Sequence, residues 1–389
     1  MVSLNGWQVE TKRVAKFRGN LLKWFQAYHR KLPWRSCGQK PANPYHVLVS
    51  EFMLQQTQVA TVIEYFNRFI KTLPTIEALA SAKEQQVLQL WQGLGYYRRA
   101  LHLHAAARMI IDRFDGQVPQ TLENLSQLPG VGTYTAGAIA SIAYDEKVAA
   151  IDGNVSRVIS RLLAIEKPID DGPTRRKLQS ITEKLVPPHR PGIFNQALME
   201  LGALVCLPRR PRCSTCPVRQ LCQAYLQGCV DRLPVRHPRR PPRSVTHHIF
   251  AIQKRNCHLV VQRPGKGLWS RLWQMPTAEN LEAQKPSTRA LQWIEDELGL
   301  VVETPERIST FNHQTTHRAI HFVLWHTTVI SGRLRRGIGQ WRRLGKTNDL
   351  AMANPQHTAV GLITRHTSHF TCRSTKSHSG LQSGRNLRR

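Results

Sequence analysis

The chain has 389 residues, 41% of them apolar, which is enough for two domains with separate cores. Lys and Arg number 55 against 25 Asp and Glu, so the formal charge is +30; a surplus of that size answers a polyanion, nucleic acid first and an anionic membrane surface second. No run of about 18 apolar residues occurs, which excludes a bilayer-spanning helix, and the opening MVSLNGWQVETKRVAKF has no apolar signal core, so a cytoplasmic, nucleoid-associated location is expected.

Residues 10 to about 228 read as helical. Apolar side chains recur at three and four from Ala15 to Ala27, one face of a helix. Pro33-Trp34-Arg35 breaks that pattern, and Tyr45 to Thr72 then reads as one long amphipathic stretch. Shorter helices are expected at about 75–80, 84–92, 98–114, 121–127, 133–143, 153–163 and 173–186, punctuated by Gly and Pro. The segment 229–244, with its RLPVRHPRRPPR core, reads as a basic, proline-rich linker. Beyond it His248–Ile252, Cys257–Gln262 and Ala319–Thr328 read as strands and Ser287–Glu297 as a helix, a smaller α/β or α+β domain over 245–355. The tail 356–389 is basic, holds no acidic residue and is expected to be disordered.

Four of the eight cysteines, Cys206, Cys213, Cys216 and Cys222, fall within 17 residues with the spacing C-x6-C-x2-C-x5-C. Short loops of this kind turn each sulfur inward on one metal centre, and the thiolate set suits zinc as well as an iron–sulfur cluster. Arg209, Arg210, Arg212 and Arg219 lie among them and suit DNA phosphates. Cys37, Cys229, Cys257 and Cys372 are scattered and read as structural or incidental.

Leu128-Pro129-Gly130-Val131-Gly132 joins two predicted helices. Gly130 and Gly132 there let backbone N–H groups approach a phosphate at a helix start, although an ordinary tight turn fits the same residues. Glu51 stands in the apolar stretch SEFMLQQTQVA, where a lone carboxyl takes a raised pKa and suits a general acid; a solvated Glu near a helix start is the alternative. Asp152, in AAIDGNVSRVI, is both a candidate anion for a cationic sugar and a candidate N-cap, and one carboxylate can fill both roles.

The segments LPWR (32–35), SEFMLQQTQVATV (50–62), WQGLGYYRRA (91–100), LPGVGTYTAGAIAS (128–141), IDGNVSRV (151–158) and NQALMELGALVC (195–206), with the four-Cys loop, resemble the MutY-type adenine DNA glycosylases. The resemblance implies a mainly α helix-hairpin-helix glycosylase domain over 1–228 with an iron–sulfur cluster loop, plus a smaller C-terminal α/β, MutT- or Nudix-like domain. It implies a 4Fe–4S cluster on the four cysteines. It implies Glu51 as proton donor to adenine, Asp152 as stabiliser of the sugar cation, and Asn154 and Tyr134 flanking them. Gln56 and Tyr96 would wedge into the base stack beside Leu54, on double-stranded DNA carrying A·8-oxoguanine or A·G mispairs, with the chain acting as a monomer. The related pyrimidine-specific branch has lysine two residues after the second hairpin glycine; Tyr134 stands here and cannot form a Schiff base, so a monofunctional enzyme that leaves an abasic site is expected.

GLWSRLWQMP (267–276) and TFNHQTTHRAIHF (310–322) resemble the domain with which that family reads 8-oxoguanine. No intact Nudix box is present, so pyrophosphohydrolase activity is not expected. The family's Phe-Ser-His recognition loop reads Phe311-Asn312-His313 here, and Asn312 still both donates and accepts hydrogen bonds.

Overall fold

The computed structural model describes residues 11–36, 42–238, 241–279, 286–347 and 349–374, with side chains of the last helix described to 367. Cys37 and residues 375–389 therefore lie outside the described residues, as does the side chain of Cys372. The chain divides into two compact units: Met1–Leu90 with Arg99–Arg239, and Trp91–Arg98 with Arg240–Arg389. The helical domain is thus not the continuous 1–228 block that the sequence suggests, because Trp91–Arg98 groups with the second unit.

The first unit holds α1 (Thr11–Tyr28), α2 (Pro44–Leu54), α3 (Val59–Thr72), α4 (Ile76–Ser81), α5 (Glu84–Leu90), α6 (Arg98–Arg113), α7 (Leu122–Ser126), α8 (Thr133–Tyr144), α9 (Gly153–Leu162), α10 (Gly172–Leu185), α11 (Pro191–Leu204) and α12 (Gln223–Leu226). Phe17 and Leu21 of α1 pack with Val158 and Ile159 of α9, Leu178 and Ile181 of α10, and Phe194 and Leu198 of α11 in one apolar core. The expected long helix from Tyr45 is in fact two, α2 and α3. Gln56 takes a left-handed φ of 60° between them, and a helix does not run through that conformation. From Tyr45 to Met53 all of α2 except His46 is buried, so it is an interior helix rather than an amphipathic one.

The linker is shorter than 229–244. Cys229 and Leu233 are buried against Ala224, and the Ile169 N–H donates to the Val235 carbonyl at 3.0 Å, which ties the first half to the helical unit. The first strand already begins at Arg243.

The second unit is built on β1 (Arg243–Lys254), β2 (Cys257–Gln262), β3 (Trp273–Gln274), β4 (Thr277–Ala278), β5 (Leu300–Val302), β6 (Glu306–Gln314), β7 (Arg318–Gly332) and β8 (Gly339–Arg342). The sheet runs β3-β2-β1-β7-β5, with β4 on β1, β6 on β7 and β8 on β2; β1 and β7 are parallel and the other pairs antiparallel. Its faces are covered by α13 (Pro286–Leu298) and α14 (Asn354–Ser374). Phe250 and Ile252 meet Ile294 and Leu298 of α13, while Ile249 and Ala251 meet Ala359 and Ile363 of α14. That double covering is why His247–Ile252 is buried without interruption instead of in alternation.

The disordered tail expected from 356 is corrected by α14. Ala359 and Ile363 are one helical turn apart and completely buried, an apolar pair that composition averaged over a Ser-, Thr- and Arg-rich tail conceals. Truncating Ile363→Ala should destabilise this unit by about 2–5 kcal/mol, the usual cost of such a cavity. Thermal melting followed by tryptophan fluorescence measures this, and an unchanged melting temperature would mean α14 is not part of the core.

Candidate active site

One cleft of about 1320 Å³ opens in the helical unit, lined among others by Glu51, Leu54, Gln56, Gly132, Tyr134, Asp152 and Asn154. These residues are brought there by three helix ends. Glu51 comes from the last turn of α2, which is buried on every side and carries the carboxyl inward. Tyr134 sits in the first turn of α8. Asp152 is the N-cap of α9: Oδ1 accepts the Val155 N–H at 2.6 Å, and Oδ2 accepts from Asn154 Nδ2 at 2.7 Å.

Glu51 is only 4% exposed, and its Oε2 has no hydrogen-bond partner. Burial raises its pKa from 4.5 to about 7, against a hydrogen bond from Tyr134 and with a small push from Asp152. Tyr134, half-buried in the cleft wall, is held well above its ordinary value by burial and by the carboxylates of Glu51 and Asp152. Burial also raises Asp152, but the Val155 and Asn154 hydrogen bonds and the Arg157 charge oppose it. The two carboxyls therefore differ: Glu51 leaves one oxygen without a donor and retains its proton near neutrality, whereas both oxygens of Asp152 accept hydrogen bonds that oppose the effect of burial.

Asn154 is itself fixed. Arg157 Nη2 donates to its Oδ1 at 2.9 Å and to the Gly202 carbonyl at 2.8 Å, and Arg157 Nε donates to the Cys206 carbonyl at 2.8 Å. Gly202 permits this packing, since a Cβ there would lie 2.6 Å from Asn154 Cβ. Another wall of the cleft is held by Glu200 of α11, 1% exposed, which Arg30 and Arg35 grip at 2.8 and 3.2 Å. Burial alone would raise Glu200, but those guanidinium groups hold it at about 2. Sequence reading singled out neither Arg157 nor Glu200, because Glu200 is held by Arg30 and Arg35, more than 160 residues away, and Arg157 joins its neighbour Asn154 to Gly202 and Cys206, 45 and 49 residues away.

The hairpin glycines occupy different surroundings. Gly132 caps α8 and faces the cleft. Gly130 lies outside the lining, with φ +80° and His102 so near that a Cβ would sit 2.6 Å from its Cβ, so only glycine fits that turn. Tyr96 is also outside the lining; it is half-exposed, has a left-handed φ of 50° and lies in the segment that groups with the second unit.

Phe311, Asn312 and His313 do not form a loop. They lie in β6, paired with Phe322, His321 and Ile320 of β7, and the turn comes later. Strand alternation separates them. Phe311 stacks on Phe322 at 5.0 Å and His313 lies 5.8 Å from Trp269, whereas Asn312 faces the other way and meets His321 Nδ1 at 2.8 Å.

Cys206, Cys213, Cys216 and Cys222 line a small separate recess, and none is in a disulfide. Burial pushes Cys216 up to about 12 and Cys222 to about 11, so thiolates here need a cationic centre or its equivalent. Arg161 Nη1 stands 3.4 Å from Cys206 Sγ. Among the described residues no three His, Cys, Asp or Glu side chains gather on a single metal ion.

Residues 49–188 match the family model for the HhH-GPD superfamily base excision DNA repair protein, and residues 248–361 match the NUDIX domain. The adenine DNA glycosylase of Schizosaccharomyces pombe is 32% identical over 368 residues, covering 78% of this chain and 80% of that one. That of Buchnera aphidicola subsp. Schizaphis graminum is 30% identical, covering 86% and 95%. The chain belongs to the adenine DNA glycosylase family. The mouse member is 40% identical over 72% of this chain but only 63% of its own length, and the rat and human members are covered to 60% and 61%. A solved thermostable thymine-DNA glycosylase superposes with a TM-score of 0.50 at 28% identity, over 56% of this chain and 98% of that one. In family terms, the helical unit is a helix-hairpin-helix glycosylase domain and the sheet unit a Nudix-like α/β domain. No described helix is long and apolar enough to cross a membrane.

Proposed function

We propose that this chain excises adenine mispaired with 8-oxoguanine or guanine in double-stranded DNA, by hydrolysing the N-glycosidic bond and leaving an abasic site. The observation that carries the reading is the pairing of Glu51, raised to about 7, with Asp152 in one cleft. Breaking this bond requires a protonated base as leaving group and an anion near the developing sugar cation. Glu51 protonates a ring nitrogen of adenine, and its carboxylate then accepts a proton from the attacking water. Asp152 stabilises the cation while Asn154 and the α9 N-terminus hold its carboxylate still. Tyr134 keeps Glu51 in place and, lacking an amine, forms no covalent link to the sugar.

Adenine inside a duplex is out of reach of both groups, so it must first be turned out of the stack. Gln56 and Leu54 at the cleft, with Tyr96, fill the space it leaves, and Gly130 and Gly132 hold backbone phosphate. Phe311, Asn312 and His313 serve the opposite base, with Asn312 oriented by His321. The charge of +30 supports DNA as the partner.

A purified chain should release adenine from a labelled A·8-oxoguanine duplex and nothing from oxidised-pyrimidine duplexes; the reverse pattern would assign it to the pyrimidine branch, and no release from either would end the enzymatic reading.

Cys206, Cys213, Cys216 and Cys222 would hold a 4Fe–4S cluster, which would supply a structural crosslink within the arginine-bearing loop, while Arg161 of α9 holds that loop through the carbonyls of Leu207 and Pro208. Cys216→Ser should lower iron from about four per chain and bleach the visible absorption. An unchanged spectrum with stoichiometric zinc would replace the cluster by a zinc site.

A further inference from the structure

We propose that Arg99 is a positioning residue for base extrusion: its buried guanidinium fixes the left-handed turn that presents Gln56 and anchors the end of the helix that carries Glu51. This rests on the reading that those two residues act on an extruded base.

The argument begins with α2. A helix leaves its last carbonyls without intrahelical donors. In α2 those carbonyls belong to a stretch that water does not reach, since Phe52 and Met53 are completely buried. Arg99, on α6 and 6% exposed, supplies the donors from across the core. Its Nη1 lies 2.9 Å from the Phe52 carbonyl, 2.7 Å from Met53 and 2.6 Å from Gln55, and its Nη2 donates to Thr57 Oγ1 at 3.0 Å. A cation at that end also complements the helix dipole.

The two outer contacts bracket Gln56. Gln55 is held through its carbonyl and Thr57 through its hydroxyl, while the residue between them takes φ 60° and stays exposed at the cleft. A left-handed non-glycine residue persists where its surroundings over-determine it. The Thr57 N–H donates to the Leu54 carbonyl at 3.3 Å and Gln55 Nε2 to Thr135 Oγ1 at 3.4 Å, so the turn is tied to α2 and α8, and Arg99 closes the remaining side. Lysine cannot replace it: an ammonium lacks the planar fork that serves three carbonyls and a hydroxyl together.

The probe is a duplex with 2-aminopurine at the adenine position opposite 8-oxoguanine, whose fluorescence rises on unstacking. It is read on full-length, metal-loaded protein as Arg99→Lys, as Thr57→Val (a change that removes one acceptor and little volume), and each combined with Gln56→Ala. Arg99→Lys should lower the bound-state fluorescence rise and slow single-turnover release about tenfold to a hundredfold, with Thr57→Val between it and the wild type. Gln56→Ala should cost far less in the Arg99→Lys background than alone, because the turn it depends on is already lost. If both Arg99→Lys and Thr57→Val extrude the base as the wild type does, or if Gln56→Ala adds its full effect in both backgrounds, the proposal is overturned. Fluorescence does not need turnover, so a wild type that extrudes the probe but releases no adenine defeats the enzymatic reading and leaves this test intact.

Discussion

Glu51→Gln should lower single-turnover adenine release by at least about a thousandfold, within the range that general acid catalysis contributes, while leaving affinity for the mispaired duplex within about threefold. Glutamine matches the shape of the side chain but has no acidic proton to give. The effect is expected to be large because neither neighbour replaces it: Tyr134 is held well above its ordinary pKa, and Asp152, although burial raises it, has both oxygens engaged as acceptors by the Val155 N–H and Asn154. The wild-type rate should also decline as pH rises through about 7, since only the protonated carboxyl delivers a proton. A rate limb that persists unchanged in Glu51→Gln, or a loss of less than tenfold, would remove Glu51 from the chemistry.

The same burial predicts a stability change of defined sign. The folded state keeps the Glu51 proton up to about pH 7, whereas the unfolded chain loses it near 4.5. Between those values the folded state binds more protons, so stability falls as pH rises through the window and the penalty is complete above it. The gap corresponds to about 3 kcal/mol at most. Glu51→Gln removes that penalty, so it should melt above the wild type at pH 8 and close to it at pH 4. An enzyme made more stable by losing its proton donor has kept that carboxyl for its reactivity.

What the sequence reveals of this molecule follows the distance between interacting residues. The four thiols, the hairpin glycines and the pair Asp152 and Asn154 are local patterns, and a short window contains all the parts of each. The apolar setting of Glu51 is also visible, because α2 has no other Asp, Glu, Lys or Arg. The break between α2 and α3 was not visible. It depends on Arg99 reaching from α6 to capture carbonyls 44 to 47 positions away, and periodicity carries no record of a donor that distant. The strand β6 escapes sequence reading for a related reason: seven of its nine residues are polar or charged, and its order comes from pairing along β7. In α14 a few buried residues decide the structure, Ala359 and Ile363 with Pro355 and Gln356 before them, and the polar composition around them hides the pattern.

Asp152→Asn separates capping from catalysis. Asparagine caps a helix about as well as aspartate, so the Val155 N–H keeps its acceptor and α9 should stay in place. Melting temperature is expected to change by no more than a few degrees, and a small rise is reasonable, because burial raises the Asp152 pKa and so disfavours its charge. What is lost is the negative charge beside the sugar. A fixed anion aimed at a developing cation in a dry cleft contributes several kcal/mol to the barrier, so release should fall by about a thousandfold or more. Asp152→Ala should lose the same activity and, in addition, about 1 kcal/mol of stability from the missing cap. The comparison decides between the roles. If Asp152→Asn keeps most of its activity while Asp152→Ala loses it along with stability, Asp152 is a structural cap and the cation must be stabilised elsewhere. If both lose activity and only alanine loses stability, one carboxylate performs both tasks, with Oδ1 bound to the helix and Oδ2 held by Asn154 toward the cleft.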